Sequence, residues 1–137
     1  MLRFEQVSVG DDLPPLVKPA ISRLQLALYA SAGADHNPIH VDDAAARFGG
    51  LPGVIAHGML TMGFLGQLLT RWVPRRQVLS FSARFIGMAF PDDVITCSGK
   101  VVGKRVEAGC NLVDLAIAAT NQKGETLQSG TATVTLP

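Results

Sequence analysis

Between His57 and Trp72 the apolar residues Met59, Leu60, Met62, Phe64, Leu65, Leu68 and Leu69 fall on nearly every side of a helical wheel. A helix apolar nearly all round is buried on most sides, so the pattern predicts a central helix, ended by Pro74, rather than one lying on a surface. Gly58, Gly63 and Gly66 interrupt it. Each costs up to about 1 kcal/mol relative to Ala, so close approach of another backbone or of a ligand is the expected reason for them. Beyond Pro74 the period changes. Phe81, Ala83 and Phe85 alternate with Ser80, Ser82 and Arg84; Val113, Leu115, Ile117 and Ala119 alternate with Asp114 and Thr120; Ala132, Val134 and Leu136 alternate with Thr131, Thr133 and Thr135. Period two with one polar face predicts antiparallel strands, and a further strand is expected from Val94 to Val102. Pro91-Asp92-Asp93, Gly103-Lys104 and Lys123-Gly124 read as the turns between them.

Ahead of the central helix, Ser22 reads as an N-cap with Gln25 in the capping-box position and with Ile21 and Leu26 placed as a hydrophobic staple, which predicts a helix to about Ala32. Asp42 can cap another short helix, from Ala44 to Phe48, that stops at Gly49-Gly50. A long buried helix against a meandering antiparallel sheet covers every apolar face, which makes the expected class α+β. At 137 residues the chain is long enough for one domain with a real core and too short for a second, so a single domain over residues 1–137 is expected.

Charge alters this picture little. With 12 basic and 11 acidic residues, there is no electrostatic case for nucleic acid or for a membrane surface. Hydrophobic residues at 47% against 17% charged leave apolar surface over for a partner subunit. The N-terminus lacks the basic start and apolar run of a signal peptide, and no apolar stretch is long enough to span a bilayer, so a soluble cytoplasmic protein is expected. Cys97 and Cys110 are far apart and form no CxxC, so both read as small apolar residues.

The chemistry concentrates in Asp35-His36-Asn37-Pro38-Ile39-His40, followed by Ala56-His57-Gly58-Met59-Leu60. Pro38 forbids a regular helix and pushes Asn37 towards an extended conformation, so a turn holds Asp35 and His40. A carboxylate and an imidazole sharing a water could move protons to and from a carbonyl compound, a step typically worth about 10²- to 10⁴-fold in rate. Asp, Asn and Pro are also ordinary turn formers, and a purely structural turn is the alternative. Asn37 is expected to fix the turn by bonding to backbone, with direct contact to substrate as the second reading. His57 is expected to cap the helix or hold the loop before it, with catalysis as the second reading. Asp35, His36, His40 and His57 raise the question of a metal. Pro38 keeps His36 and His40 off a common helical face and there is no HExxH, so no metal and no cofactor are expected. No G-x-S-x-G offers a nucleophilic serine.

These residues resemble the MaoC-like (R)-specific enoyl hydratases and 3-hydroxyacyl dehydratases, which have the hotdog fold. The similarity runs from the Asp35–His40 block with Asp42 and Ala46, through Ile55-Ala56-His57-Gly58-Met59-Leu60-Thr61, to the strand and turn from Phe85 to Phe90-Pro91-Asp92-Asp93. Two departures stand out: Gly33-Ala34 replaces the usual Ser-Gly or Gly-Gly before the acidic residue, and Asp92 replaces a glycine. The resemblance implies a curved antiparallel sheet wrapped around the central helix. It implies an acyl thioester of coenzyme A or acyl carrier protein as substrate, with no nucleic acid or membrane partner. By position, Asp35 and His40 would be the catalytic pair and the Gly58 N–H would bind the thioester oxygen, with Asn37 and His57 beside them. The basic residues Arg71, Arg75 and Arg76 read as a solvated helix end, with phosphate or carrier contact as the alternative. The expected reaction interconverts trans-2-enoyl and (3R)-hydroxyacyl thioesters. The alternatives are a hotdog thioesterase or one subunit of a heterodimeric dehydratase, so the chain is expected to pair with a copy of itself or with a second hotdog subunit.

Overall fold

The structure is a computed structural model that describes residues 1–137. Three α-helices precede the four long strands: α1 spans Arg23–Ala32, α2 Asp43–Phe48 and α3 Gly58–Trp72. The strands are β1 (Leu16–Val17), β2 (Val78–Phe85), β3 (Thr96–Glu107), β4 (Cys110–Thr120) and β5 (Thr126–Thr135), ordered β1-β3-β4-β5-β2 in one antiparallel sheet. The sheet curls around α3, the hotdog arrangement. Leu65, Leu68 and Leu69 of α3 pack into one core with Ile95, Val101, Val113, Leu115 and Val134. No helix is long and apolar enough to cross a membrane.

Local chemistry explains the boundaries. Ser22 Oγ accepts the Gln25 amide at 3.0 Å, while Ile21 and Leu26 are fully buried, so the staple forms with only the Ser22 half of the capping box. Asp42 Oδ1 accepts the Ala44 amide at 2.9 Å and starts α2. The amide of Val73 makes the last bond of α3, to Leu69, immediately before Pro74.

The hairpin between β3 and β4 differs from expectation. Gly103-Lys104 is no turn: β3 runs through it with a register shift between Val101 and Gly103. The chain reverses at Ala108 and Gly109, both at positive φ (49° and 79°), the combination that matches the twist of a two-residue hairpin. Gly103 is a bulge glycine, and Lys104 turns its ammonium onto the carbonyls of Phe4 and Val7. The same reversal exposes Cys110, which is therefore no core residue. Cys97 is buried, and desolvation pushes its thiol pKa up to about 11, so it stays a neutral, inert thiol.

The glycines of α3 have different surroundings. Gly58 lies under the ring of Phe85, whereas Gly66 meets only Phe81 and Gly63 faces open space. Gly63 and Gly66 line a surface groove with Gln67, Leu69, Thr70, Arg75, Val78 and Phe81.

Candidate active site

The chain leaves α1 through Ala34, which adopts a left-handed φ of 53°, and the Asp35 amide bonds back to the Ala30 carbonyl at 3.0 Å. Asp35 Oδ1 then accepts the Asn37 amide, and Asn37 Oδ1 accepts the Ile39 amide, each at 3.2 Å. Pro38 opens the single helical turn Pro38–His40. Asn37 is exposed and fixes the turn through backbone, and His36 is exposed.

His40 is buried and placed by the strand of chain that precedes α3. Its Nδ1 lies 2.8 Å from the Ile55 carbonyl, and the Ile55 amide bonds to the Ile39 carbonyl. A carbonyl only accepts, so Nδ1 carries the proton and donates, leaving the Nε2 lone pair of the neutral ring free. Nε2 lies 3.6 Å from Asp35 Oδ2, too long for a direct hydrogen bond but suited to two groups flanking one small polar atom. The two differ in access: the Asp35 side chain is 51% exposed and that of His40 8%.

His57 packs behind this pair. Its ring stacks on His40 with centroids 3.8 Å apart, and the Tyr29 ring is tilted against it at 4.8 Å. Nε2 donates to the Asp35 main-chain carbonyl at 3.2 Å, so His57 ties the turn to the start of α3, while its Nδ1 is buried without a partner. It makes no side-chain cap on the helix. Burial holds its pKa below the usual imidazole value, so the ring is neutral at pH 7. Asp35, His40 and His57 bring possible ligand atoms within 4.8 Å of one another. Imidazole lone pairs lie in the ring plane, and two rings stacked at 24° cannot aim both at one ion, so the donor set does not suit a metal.

Gly58 begins α3, and the Gly58 and Met59 amides find no acceptor in the protein. Unpaired first-turn amides and the positive end of the helix dipole make this an anion-seeking point. Gly58 and His40 line a cavity of about 260 Å³ whose remaining wall is mainly apolar, with Ile55, Phe85, Ile86, Met88 and Ala89. Asp35 sits outside that lining, at the solvent side of His40, and neither Asn37 nor His57 reaches it. Two further polar side chains stand in the wall: Thr61, part of the helix-entrance block but given no role from the sequence, and Gln128, which lies outside the motifs. Gln128 shares the inward parity of Ala132 and Val134 on β5, and a polar residue in an apolar phase is the signal that could have revealed it. Arg71, Arg75 and Arg76 are exposed and lie off this cavity.

The sequence model of the MaoC like domain matches residues 7–123, most of the chain. The chain belongs to the MaoC-like domain family. Among solved MaoC-like structures it resembles the R-hydratase PhaJ1 of Pseudomonas aeruginosa, at 26% identity and a TM-score of 0.86, covering 98% of this chain and 85% of that one. Among curated relatives, 48 residues are 48% identical to 3-hydroxyacyl-thioester dehydratase X of Mycobacterium tuberculosis, 35% of this chain and 17% of that protein. Ninety residues are 39% identical to the fatty acid synthase subunit beta of Aspergillus oryzae, covering 58% of this chain and 4% of that protein. The chain thus spans less than a fifth of either curated relative.

Proposed function

We propose that the protein is a hydro-lyase that interconverts trans-2-enoyl and (3R)-hydroxyacyl thioesters, carried on coenzyme A or on acyl carrier protein. The observation that carries this reading is the 3.6 Å approach of Asp35 Oδ2, on the solvent side, to Nε2 of His40, which lines an apolar cavity together with Gly58, whose N–H is unpaired. The relatives named for hydratase and dehydratase activity support the same chemistry.

In the dehydration direction, one proton resides on the Asp35–His40 pair at the start. His40 Nε2, the buried member facing the cavity, takes the proton from the carbon beside the thioester carbonyl. Charge builds on the thioester oxygen, where the Gly58 N–H donates to it. The C3–O bond then breaks and Asp35, on the solvent side, delivers a proton to the departing hydroxyl, which leaves as water. A proton passing from His40 back to Asp35 resets the pair. Hydration is the same path reversed.

The protein is also proposed to work as a pair of hotdog subunits. The outer edge of β2 is unpaired, and Leu79, Phe85, Ile86 and Met88 stand exposed on and beside it. A soluble, active homodimer from the chain expressed alone would make an obligate second subunit unnecessary. The activity test is loss of enoyl-thioester absorbance on adding protein. Asp35→Asn and His40→Gln should each lower the rate by about 10²-fold or more while the fold persists. Parent-like rates in both variants would reject the assignment, and release of free thiol would redirect it to a thioesterase.

A further inference from the structure

Gln128 is 1% exposed in the inward phase of β5, in line with Gly130 and the buried Ala132 and Val134. One end of its amide is used: Nε2 donates to the Gly58 carbonyl at 2.7 Å. The other end, Oε1, is buried and accepts from nothing. An amide satisfied at one end only is a net liability that an apolar side chain of the same shape would avoid, so packing does not account for it. The bond itself has a clear effect. The carbonyl it holds belongs to the same peptide as the Met59 N–H, so donation to it polarises that amide and fixes the peptide's rotation. Glycine is the residue of the turn with most backbone freedom to lose. Phe85 lies directly opposite Gln128 across the β2–β5 ladder and covers Gly58 from a second side, where a Cβ would lie 2.5 Å from its ring. Two neighbouring strands therefore grip a cavity-lining residue whose own N–H has no acceptor in the protein.

We propose that Gln128 is a positioning residue of the oxyanion-binding end of α3, setting the direction of the Gly58 and Met59 amides through the Gly58 carbonyl. The assignment of an oxyanion rests on the hydratase reading; the tether does not.

Two variants test it, with hydration of a short enoyl thioester of coenzyme A as the assay. Gln128→Leu removes the donor together with the unpaired acceptor, so its melting temperature should stay close to the parent's. Its kcat should fall about 10-fold or more while KM changes much less, because the loss is felt as charge develops. Gln128→Glu keeps the shape. A protonated carboxyl can still donate to Gly58, and a carboxylate cannot. Burial raises the pKa of that carboxyl above about 4.3, so activity relative to the parent should be highest at acid pH and fall as pH rises. An unchanged kcat in Gln128→Leu, or a Gln128→Glu profile parallel to the parent's, would overturn the proposal. If the parent hydrates no enoyl thioester, the hydratase reading fails by itself. The tether is then judged by whether the Met59 amide resonance titrates with the new carboxyl in Gln128→Glu: titration supports it and a flat response overturns it.

Discussion

His40 and His57 stack face to face, with ring centroids 3.8 Å apart and 24° between their planes. Two imidazolium ions cannot share that geometry cheaply, and His57 is the ring that stays neutral. Desolvation is the main cause of its lowered pKa, and His40 adds to it. The ring nitrogen of His40 that no carbonyl engages, Nε2, lies 3.6 Å from Asp35 Oδ2.

The sign of the resulting pH dependence follows directly. In the unfolded chain His57 binds a proton near the usual 6.5, and in the folded protein only at lower pH. Between those values the unfolded state holds more protons, so stability falls as pH falls. The melting temperature should therefore drop between about pH 7.5 and about pH 5.5. His57→Gln should flatten that slope, although its melting temperature at the upper pH will be lower for want of the stack. Equal slopes in parent and variant, read by thermal melts across the range, would remove His57 as the responsible group.

The contact of Gly58 with Phe85 gives a paired prediction. A Cβ on residue 58 would fall 2.5 Å from Cε2 and 2.6 Å from Cδ2 of Phe85. The ring is half-exposed and can swing away, so Gly58→Ala should fold. The displaced ring then intrudes on the cavity that both residues line, and kcat should fall by about 10²-fold. Adding Phe85→Ala to Gly58→Ala should recover part of that loss. Additive losses in a double-mutant cycle would show that the two sites act independently.

The sequence makes some of this legible for physical reasons. β2, β4 and β5 alternate because one face meets α3 and the other water, and Ser22 and Asp42 bond the amides their spacing suggests. Asp35 and His40 are legible as a pair because the turn between them is built from its own residues. The His40–His57 stack is not, since it depends on Ile55 bonding both to Ile39 and to His40 from a distant part of the chain. The β3–β4 hairpin is misplaced because Ala108 carries no turn signature, whereas Gly103, which does, serves a bulge. Gln128 shows in the sequence only as a polar residue in the phase of Ala132 and Val134; its bond to the Gly58 carbonyl, 70 residues away in the chain, is what the sequence does not show.

Asp43 predicts an acid-side weakness. Its carboxylate accepts the Val54 amide at 2.9 Å and pairs with Arg23 at 2.9 Å, tying α2 and α1 to the loop that leads into α3. The Val54 bond is the main cause of a pKa below the usual 3.8, with Arg23 contributing. A carboxyl whose folded pKa is depressed stabilises above its unfolded value and loses that contribution as pH falls through the folded one. Asp43→Ala should lower the melting temperature at neutral pH and show a shallower loss below about pH 4 than the parent. An unchanged acid limb by circular dichroism would mean that another carboxylate governs it.

The two departures from the family pattern, Ala34 and Asp92, both stand at left-handed φ, 53° and 72°. The backbone there keeps the conformation that a glycine would hold without strain, and the side chains bear the cost, about 1–2 kcal/mol for a residue with a Cβ. Glycine returns about 0.4–1 kcal/mol of this through greater freedom of the unfolded chain. Ala34→Gly should therefore stabilise by somewhat under 1 kcal/mol, a rise of a few degrees in melting temperature for a chain of this size. Ala34→Val should destabilise, since a β-branched residue fits this region worst. The activity consequence separates the two sites. Ala34 directly precedes Asp35, so Ala34→Val should cost kcat as well as stability by shifting the carboxylate from its 3.6 Å spacing to His40. Asp92→Gly lies in the turn whose amide bonds to the Ile21 carbonyl, away from the cavity, and should raise stability with kcat unchanged. A kcat that moves as much in Asp92→Gly as in Ala34→Val would show that the strain at Ala34 has no special bearing on Asp35.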